Sequence, residues 1–411
     1  MSIIKFFFTV STDQILSQAV QRIKESPTLA VTAKASLLKS QGIDIIGLAA
    51  GEPDFDTPEF IKQGAIKAIQ SGKTKYTPVG GIPSLKEAIV NKFKDDNGLY
   101  YNPQQIVVGV GGKQCIFNLC LSILDEGDEV IIPAPYWVSY EDIAVLTAAK
   151  AVTIQASIED NFKITAGQLE KAINQNTKLV FLNSPSNPTG SVYTKSELIE
   201  IAEVLKKHPK IIIASDDIYE HISLNNKPFH NIVMVEPSLL DRTIVLNGVS
   251  KAYSMTGWRI GYAAGPEQII KAMTKLQSQS TSNPCSISQA AAETALRGTH
   301  ECIHIMVKEF KLRHEFVISA INNIQGLNCI PADGAFYAFA YAKEAIQNLF
   351  SKQIINEEND LALCEYLLEK ANVAVVPGSA FGAEGYFRLS FATSMDNLVE
   401  AISRIKKAIE I

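Results

Sequence analysis

From about residue 84 the chain alternates helical patterns with short continuous apolar runs, and this alternation restricts its folding more than any other feature. The runs are Ile106 to Val110, Glu129 to Ile132, Lys178 to Leu182, Lys210 to Ala214, Thr243 to Leu246 and Ile260 to Ala264. Each is long enough for one strand, and the lack of polar alternation fits strands covered on both faces. Capping signals announce helices between them. Ser84-Leu-Lys-Glu87 precedes a helix burying Leu85, Ile89 and Phe93, while Thr165-Ala-Gly-Gln168 and Thr194-Lys-Ser-Glu197 open two more. The helix beginning at Thr194 should stop at His208-Pro209. Such a chain is expected to form an α/β fold, with a mostly parallel sheet between helices and ligands at the carboxyl ends of the strands.

After the alternation a helical stretch, about Ser286 to Ile324, leads to a strand, helix, strand pattern at Gly334 to Ala340, Asp360 to Lys370 and Val373 to Val376. This predicts a smaller α+β domain. The expected division is an N-terminal segment, 1–58, packing with the small domain, a large domain at 59–310 and a small C-terminal domain at 311–411. A chain of 411 residues does exceed one ordinary core.

The net charge of -5 comes without any basic block, which argues against nucleic acid. No run approaches the roughly 20 apolar residues that cross a bilayer. The apolar patch Met1 to Val10 contains Lys5 and runs into Ser11-Thr12-Asp13-Gln14, so it reads as an extension and not a signal. Six cysteines lie scattered, without the paired spacings of a zinc site or disulfide framework. Reduced thiols and a cytoplasmic location are expected.

Four strand ends could carry chemistry. Lys178 to Leu182 runs into the turn-rich Asn183-Ser-Pro-Ser-Asn187-Pro-Thr-Gly190, where Asn187 is either a plain turn residue or a ligand group. Ile211 to Ser215 delivers Asp216, Asp217 and Tyr219; a carboxylate there caps a helix or serves a ligand. Thr243 to Ser250 delivers Lys251, with Arg259 just before the next run and glycines at 248, 257 and 261 that permit close backbone approach. Together these suggest an amine nucleophile beside a phosphate-sized anion. Gly109-Val-Gly-Gly112-Lys113-Gln114 is a strand-to-helix turn suited to holding an anion. It has neither dinucleotide-binding spacing nor the Ser or Thr that a nucleotide loop needs in place of Gln114.

Gly248-Val-Ser-Lys251-Ala-Tyr-Ser-Met-Thr-Gly-Trp-Arg259-Ile-Gly261 resembles the lysine signature of class I aminotransferases, which use pyridoxal 5'-phosphate (PLP). Ala50-Gly-Glu-Pro-Asp-Phe55, Lys75-Tyr76, Gly112-Lys-Gln114, Pro135-Tyr-Trp137, Asn187-Pro-Thr-Gly190, Ser215-Asp-Asp-Ile-Tyr219 and Phe387-Arg-Leu-Ser390 follow in the family's order. The likeness covers nearly everything after about residue 20 and is strongest to bacterial aspartate aminotransferases, a group that includes prephenate aminotransferases.

The resemblance implies the aspartate aminotransferase-like fold of PLP-dependent transferases and a role for each matching residue. Lys251 binds the PLP aldehyde and moves the substrate Cα proton, Asp216 keeps the pyridine nitrogen protonated, Asn187 and Tyr219 hydrogen-bond the ring oxygen, and Trp137 stacks on the ring. Arg259 with the Gly112 and Lys113 backbone cradles the phosphate, joined by Tyr76 from a second subunit, which implies a homodimer with composite sites. Arg388 takes the substrate α-carboxylate beside Gly51. Lys113 takes the distal carboxylate in place of an arginine used elsewhere in the family, and no arginine lies between Gln277 and Gln289. Lys24 aligns with a lysine associated with prephenate; its plain alternative is a solvated helix position. Gly248 stands where some members place a phosphate-binding serine. The implied activity is ping-pong transfer of an amino group from L-aspartate to 2-oxoglutarate, giving oxaloacetate and L-glutamate, with prephenate as a further substrate. A broad-specificity aminotransferase or a C-S β-lyase is the alternative.

His300-Glu-Cys-Ile-His304 formally satisfies the H-E-x-x-H zinc pattern, but no third ligand follows and the segment lies away from the strand ends. No metal is expected.

Overall fold

The computed structural model describes residues 15–411; the apolar patch Met1 to Val10 lies outside them. In chain order the strands are β1 Ile46–Gly47, β2 Ile106–Val110, β3 Glu129–Ala134, β4 Lys150–Gln155, β5 Thr177–Asn183, β6 Ile212–Asp216, β7 Thr243–Gly248, β8 Ile260–Ala264, β9 Tyr337–Tyr341, β10 Val373–Ala374, β11 Val376–Pro377 and β12 Tyr386–Ser390. Seven of them form one sheet in the order β2-β8-β7-β6-β5-β3-β4. All run parallel except β8, which is antiparallel to both neighbours.

Alternate residues of each strand enter opposite cores, as a two-residue period requires. Val108, Ile131, Val180, Ile213 and Val245 join Leu85, Ile89 and Phe93 on one face. Val107, Val130, Leu179, Ala214 and Ile244 join Ile116 and Leu119 on the other. A further core surrounds β9 and β12 and includes Phe310, Phe336, Leu363 and Leu398, together with Ile46 and Leu48 of the N-terminal segment. There β1 pairs in parallel with β10.

Two helix-opening boxes form as read: Thr165 with Gln168, and Thr194 with Glu197. The box at Ser84 does not. That helix begins at Pro83, whose fixed φ suits the first turn, and Ser84 Oγ instead donates to Glu293 Oε2 at 2.7 Å. Strand β4 escaped notice because it is the sheet edge, where half-exposed side chains leave no continuous apolar run. The long helical stretch is two helices, Ser286–Arg297 and Glu301–Asn322, broken at Gly298, where a side chain would strike the Phe60 ring. The run Val373 to Val376 is likewise divided between two sheets.

Among the described residues, no helix is long and apolar enough to cross a membrane.

Candidate active site

The antiparallel setting of β8 determines where the site lies. Gly248 at the end of β7 pairs with Gly261, and Val110 at the end of β2 pairs with Ile260. Arg259, just before β8, therefore arrives at the same sheet edge as Lys251, just after β7, and as the turn Gly111–Gly112 after β2. The packing tolerates only glycine at two of these points: a Cβ on Gly261 would lie 2.2 Å from Gly112 N, and one on Gly111 would lie 2.4 Å from the Arg259 guanidinium. Gly111 also holds φ +78, and the Gly112–Ile123 helix starts beside it. An arginine next to a helix N-terminus is a ready anion site.

A cavity of about 330 Å³ opens along this edge. Gly51, Gly112, Lys113, Trp137, Asn187, Asp216, Tyr219, Lys251, Arg259 and Arg388 all line it. Lys251 is enclosed, and its Nζ donates to Gly51 O at 2.5 Å. Burial, against the attraction of Glu52 and with the added repulsion of Arg388 and Arg259, lowers its pKa to about 8. Such an amine is far more often a free base at neutral pH than an ordinary lysine.

Asp216 and Asp217 are both buried but face opposite ways, as neighbours at a strand end do. Asp217 accepts from Ser215 and Asn231, both at 2.7 Å, inside the protein. Asp216 faces the cavity. Its Oδ2 accepts from Tyr140 Oη at 2.6 Å, and its Oδ1 from Ile218 N at 3.3 Å. Burial raises the Asp216 pKa, while Tyr140, Ile218 and Lys251 oppose that rise by stabilising the charged form.

Arg388 comes from β12 and is 2 % exposed. Its guanidinium lies between the Tyr337 and Phe381 rings, at 4.4 and 4.9 Å from their centroids. Nη1 donates to Asn187 Oδ1 at 2.8 Å and Nη2 to Ala49 O at 2.7 Å, whereas Nε has no partner among the described residues. Among the described residues, no carboxylate pairs with this charge. Tyr219 Oη lies 2.8 Å from Tyr337 Oη, and burial holds the Tyr219 phenol well above its usual range. Lys113 keeps solvent access and places its ammonium 5.0 Å from the Trp137 ring centroid. Enclosure of its charged end, then the Arg259 charge, push its pKa down.

Two sequence candidates stand apart. Tyr76 is 91 % exposed and lies outside the cavity lining. Lys24 borders a separate hollow with Glu141 and Asp142, and its backbone N donates to Asp142 Oδ1 at 3.3 Å. Tyr140, Asn183 and Tyr337 also line the cavity, and none is a candidate from the sequence. Tyr140 shows only as an aromatic in a buried helix, where the need to satisfy its hydroxyl was the available signal. Asn183, whose side chain bridges Asp216 O at 2.9 Å and Asn187 N at 2.9 Å, ends β5 and follows the strand-end rule. Tyr337 lies inside an apolar run and carries no signal.

Residues 43–405 match the family model described as aminotransferase class I and II. The chain is 59% identical over 390 residues to the aspartate/prephenate aminotransferase of Nitrosomonas europaea, covering 95% of this chain and 98% of the relative. It is 50% identical to the enzyme of the same name from Cereibacter sphaeroides, covering 95% and 98%. Among solved structures it is similar to the aspartate aminotransferase of Rhizobium meliloti, with TM-score 0.91, 45% identity and coverage of 96% and 98%. The aspartate aminotransferase of Thermus thermophilus with maleate gives TM-score 0.88, 41% identity and coverage of 96% and 99%.

Proposed function

Because the chain belongs to the class I and II aminotransferases, we propose that it transfers an amino group from L-aspartate to 2-oxoglutarate with PLP as cofactor, and that it also accepts prephenate. The observation that carries this reading is Arg388. A buried guanidinium with an unpartnered Nε and no acidic partner among the described residues is costly unless an anion completes it, and its planar fork matches a carboxylate.

The cavity chemistry fits PLP. An enclosed amine, a buried carboxylate and an arginine beside a helix N-terminus match the aldehyde, the ring nitrogen and the phosphate of that molecule. In this reading Lys251 holds the aldehyde, Asp216 the ring nitrogen, Asn187 and Tyr219 the ring oxygen, Trp137 a ring face, and Arg259 with the Gly112 and Lys113 backbone the phosphate. When bound, PLP supplies the electron sink that makes the substrate Cα acidic.

The protein's own groups do the rest. Arg388 orients the α-carboxylate beside Gly51, so that the Cα proton faces the Lys251 amine. That amine, with its pKa near 8, can take up the Cα proton and return it near neutral pH. Tyr140 fixes Asp216 Oδ2 and favours its charged form. Lys113 receives the distal carboxylate, which fits a relative solved with the dicarboxylate maleate. The segments 1–58 and 311–411 carry Gly51 and Arg388, so closure of this smaller unit onto the large domain, 59–310, would complete the substrate site and exclude water. Exposed Tyr76 is assigned to the phosphate of a second subunit, making a homodimer with shared sites. Lys24 is assigned to prephenate. A cytoplasmic location accords with the composition.

The test is direct. Purified protein given L-aspartate and 2-oxoglutarate should form oxaloacetate and glutamate, and prephenate with an amino donor should yield its amino product. Borohydride should trap the cofactor on the peptide containing Lys251. Absence of both transamination reactions would remove the proposal.

A further inference from the structure

Away from the cavity, three elements bring one ligand atom each to a common point. Asp96 lies in the last turn of the helix Pro83–Asn97, His221 ends the turn after β6, and His300 stands at the N-cap position of the helix Glu301–Asn322 without a capping bond from its side chain. Their donor atoms all lie within 4.8 Å of one another, and among the described residues this is the only such group of three or more His, Cys, Asp or Glu. His221 Nε2 stands 3.4 Å from Asp96 Oδ2. That separation is about the edge of a tetrahedron whose metal-ligand bonds are about 2.1 Å long.

The two imidazole rings are 4.9 Å apart and tilted by 57°, so they converge without stacking. A hollow of about 450 Å³ opens onto Asp96 and His300, giving an entry path and room for water as a fourth ligand. Neighbouring cations are already engaged. Lys92 lies 3.6 Å from Asp96 Oδ2, yet its ammonium is paired with Glu220 and donates to Asn97 Oδ1 at 2.7 Å. Arg297, on the rim, pairs with Glu293 at 3.0 Å.

We propose that Asp96, His221 and His300 form a binding site for a zinc-class divalent metal, separate from the cavity at Lys251. Two imidazoles and one carboxylate suit borderline ions in preference to calcium or magnesium. His304 is not among the ligands, so the site does not use the H-E-x-x-H pair apparent in the sequence. A metal here would tie the turn carrying Tyr219 to the ends of two helices. It would also abut Glu220, whose carboxylate accepts from cavity residue Asn247 at 2.7 Å.

Holoenzyme stripped with a chelator should be titrated with Co²⁺, following the visible ligand-field bands and equilibrium dialysis. Saturable uptake of about one equivalent per chain is expected, displaced by Zn²⁺. His221→Ala and His300→Ala should each weaken uptake about tenfold or more, and His304→Ala should leave it unchanged. If either alanine variant does not fold, His221→Gln or His300→Gln supplies the same reading. Absence of saturable uptake, or uptake of full strength in the His221 and His300 variants, would overturn the proposal. Neither outcome depends on transamination.

Discussion

Arg388 Nη1 donates to Asn187 Oδ1 at 2.8 Å, joining β12 to the loop that follows β5 of the seven-stranded sheet. This contact aims the guanidinium, whose buried Nε has no partner among the described residues. Lysine would keep the charge but lose the fork and the contact between the Tyr337 and Phe381 rings. Arg388→Lys should therefore lower kcat/KM for aspartate by about 10- to 100-fold, the worth of one or two charged hydrogen bonds. Steady-state kinetics of folded protein checks this; an unchanged value would place the α-carboxylate elsewhere.

Among the described residues, Tyr140 is the only side-chain donor to the cavity-facing carboxylate Asp216. Tyr140→Phe would remove a contact that favours the charged form and leave burial to raise the Asp216 pKa further. Loss of this charge-assisted bond should cost the apoprotein about 1–3 kcal/mol. Urea unfolding reads the stability loss. Titration with PLP should also show weaker binding, because an Asp216 whose charged form is less favoured compensates a protonated ring nitrogen less well.

The Lys251 pKa of about 8, against an ordinary value of 10.5, predicts two pH effects. Cofactor uptake by the apoprotein needs the free base, so its rate should rise up to about pH 8 and then level, as absorbance will show. Below about pH 8 both folded and unfolded chains hold the lysine proton, and the penalty for burying the charge is fully present. Between about 8 and 10.5 only the unfolded chain keeps it, so this group makes the apoprotein more stable as pH rises. An uptake midpoint near 10.5 would contradict the enclosed setting of the amine.

The parts that were legible in the sequence share one cause. Lys251, Asp216 and Asn187 follow apolar runs buried on both faces, and an α/β sheet gathers such strand ends at one edge. What escaped depended on packing between distant segments. Tyr337 reaches Arg388 and Tyr219 only because β9 lies beside β12 against the turn after β6, a relation no local pattern announces. Strand β4 hid because an edge strand keeps polar alternation, and Ser84 misled because Pro83 already starts the helix.

Lys113 gives a specificity test. Its ammonium stands at the cavity mouth near Trp137, so its partner should be the distal carboxylate. Lys113→Ala should lower kcat/KM for aspartate by about tenfold while changing it little for amino acids without a second carboxylate. An equal loss for both substrate classes would instead assign the Lys113 ammonium to the phosphate.

Tyr76 is 91 % exposed in the single chain and outside its cavity. If it serves the phosphate across a dimer, each site draws Lys251 from one chain and Tyr76 from the other. Lys251→Ala homodimers should be inactive and Tyr76→Phe homodimers weakened in both sites. A hybrid of the two variants concentrates both lesions in one site and leaves the second intact. Mixed, exchanged and separated by tags, such hybrids should recover about half of the parent activity, well above either variant alone. Hybrids no more active than the average of their two parents would show that Tyr76 works within its own chain or not at all.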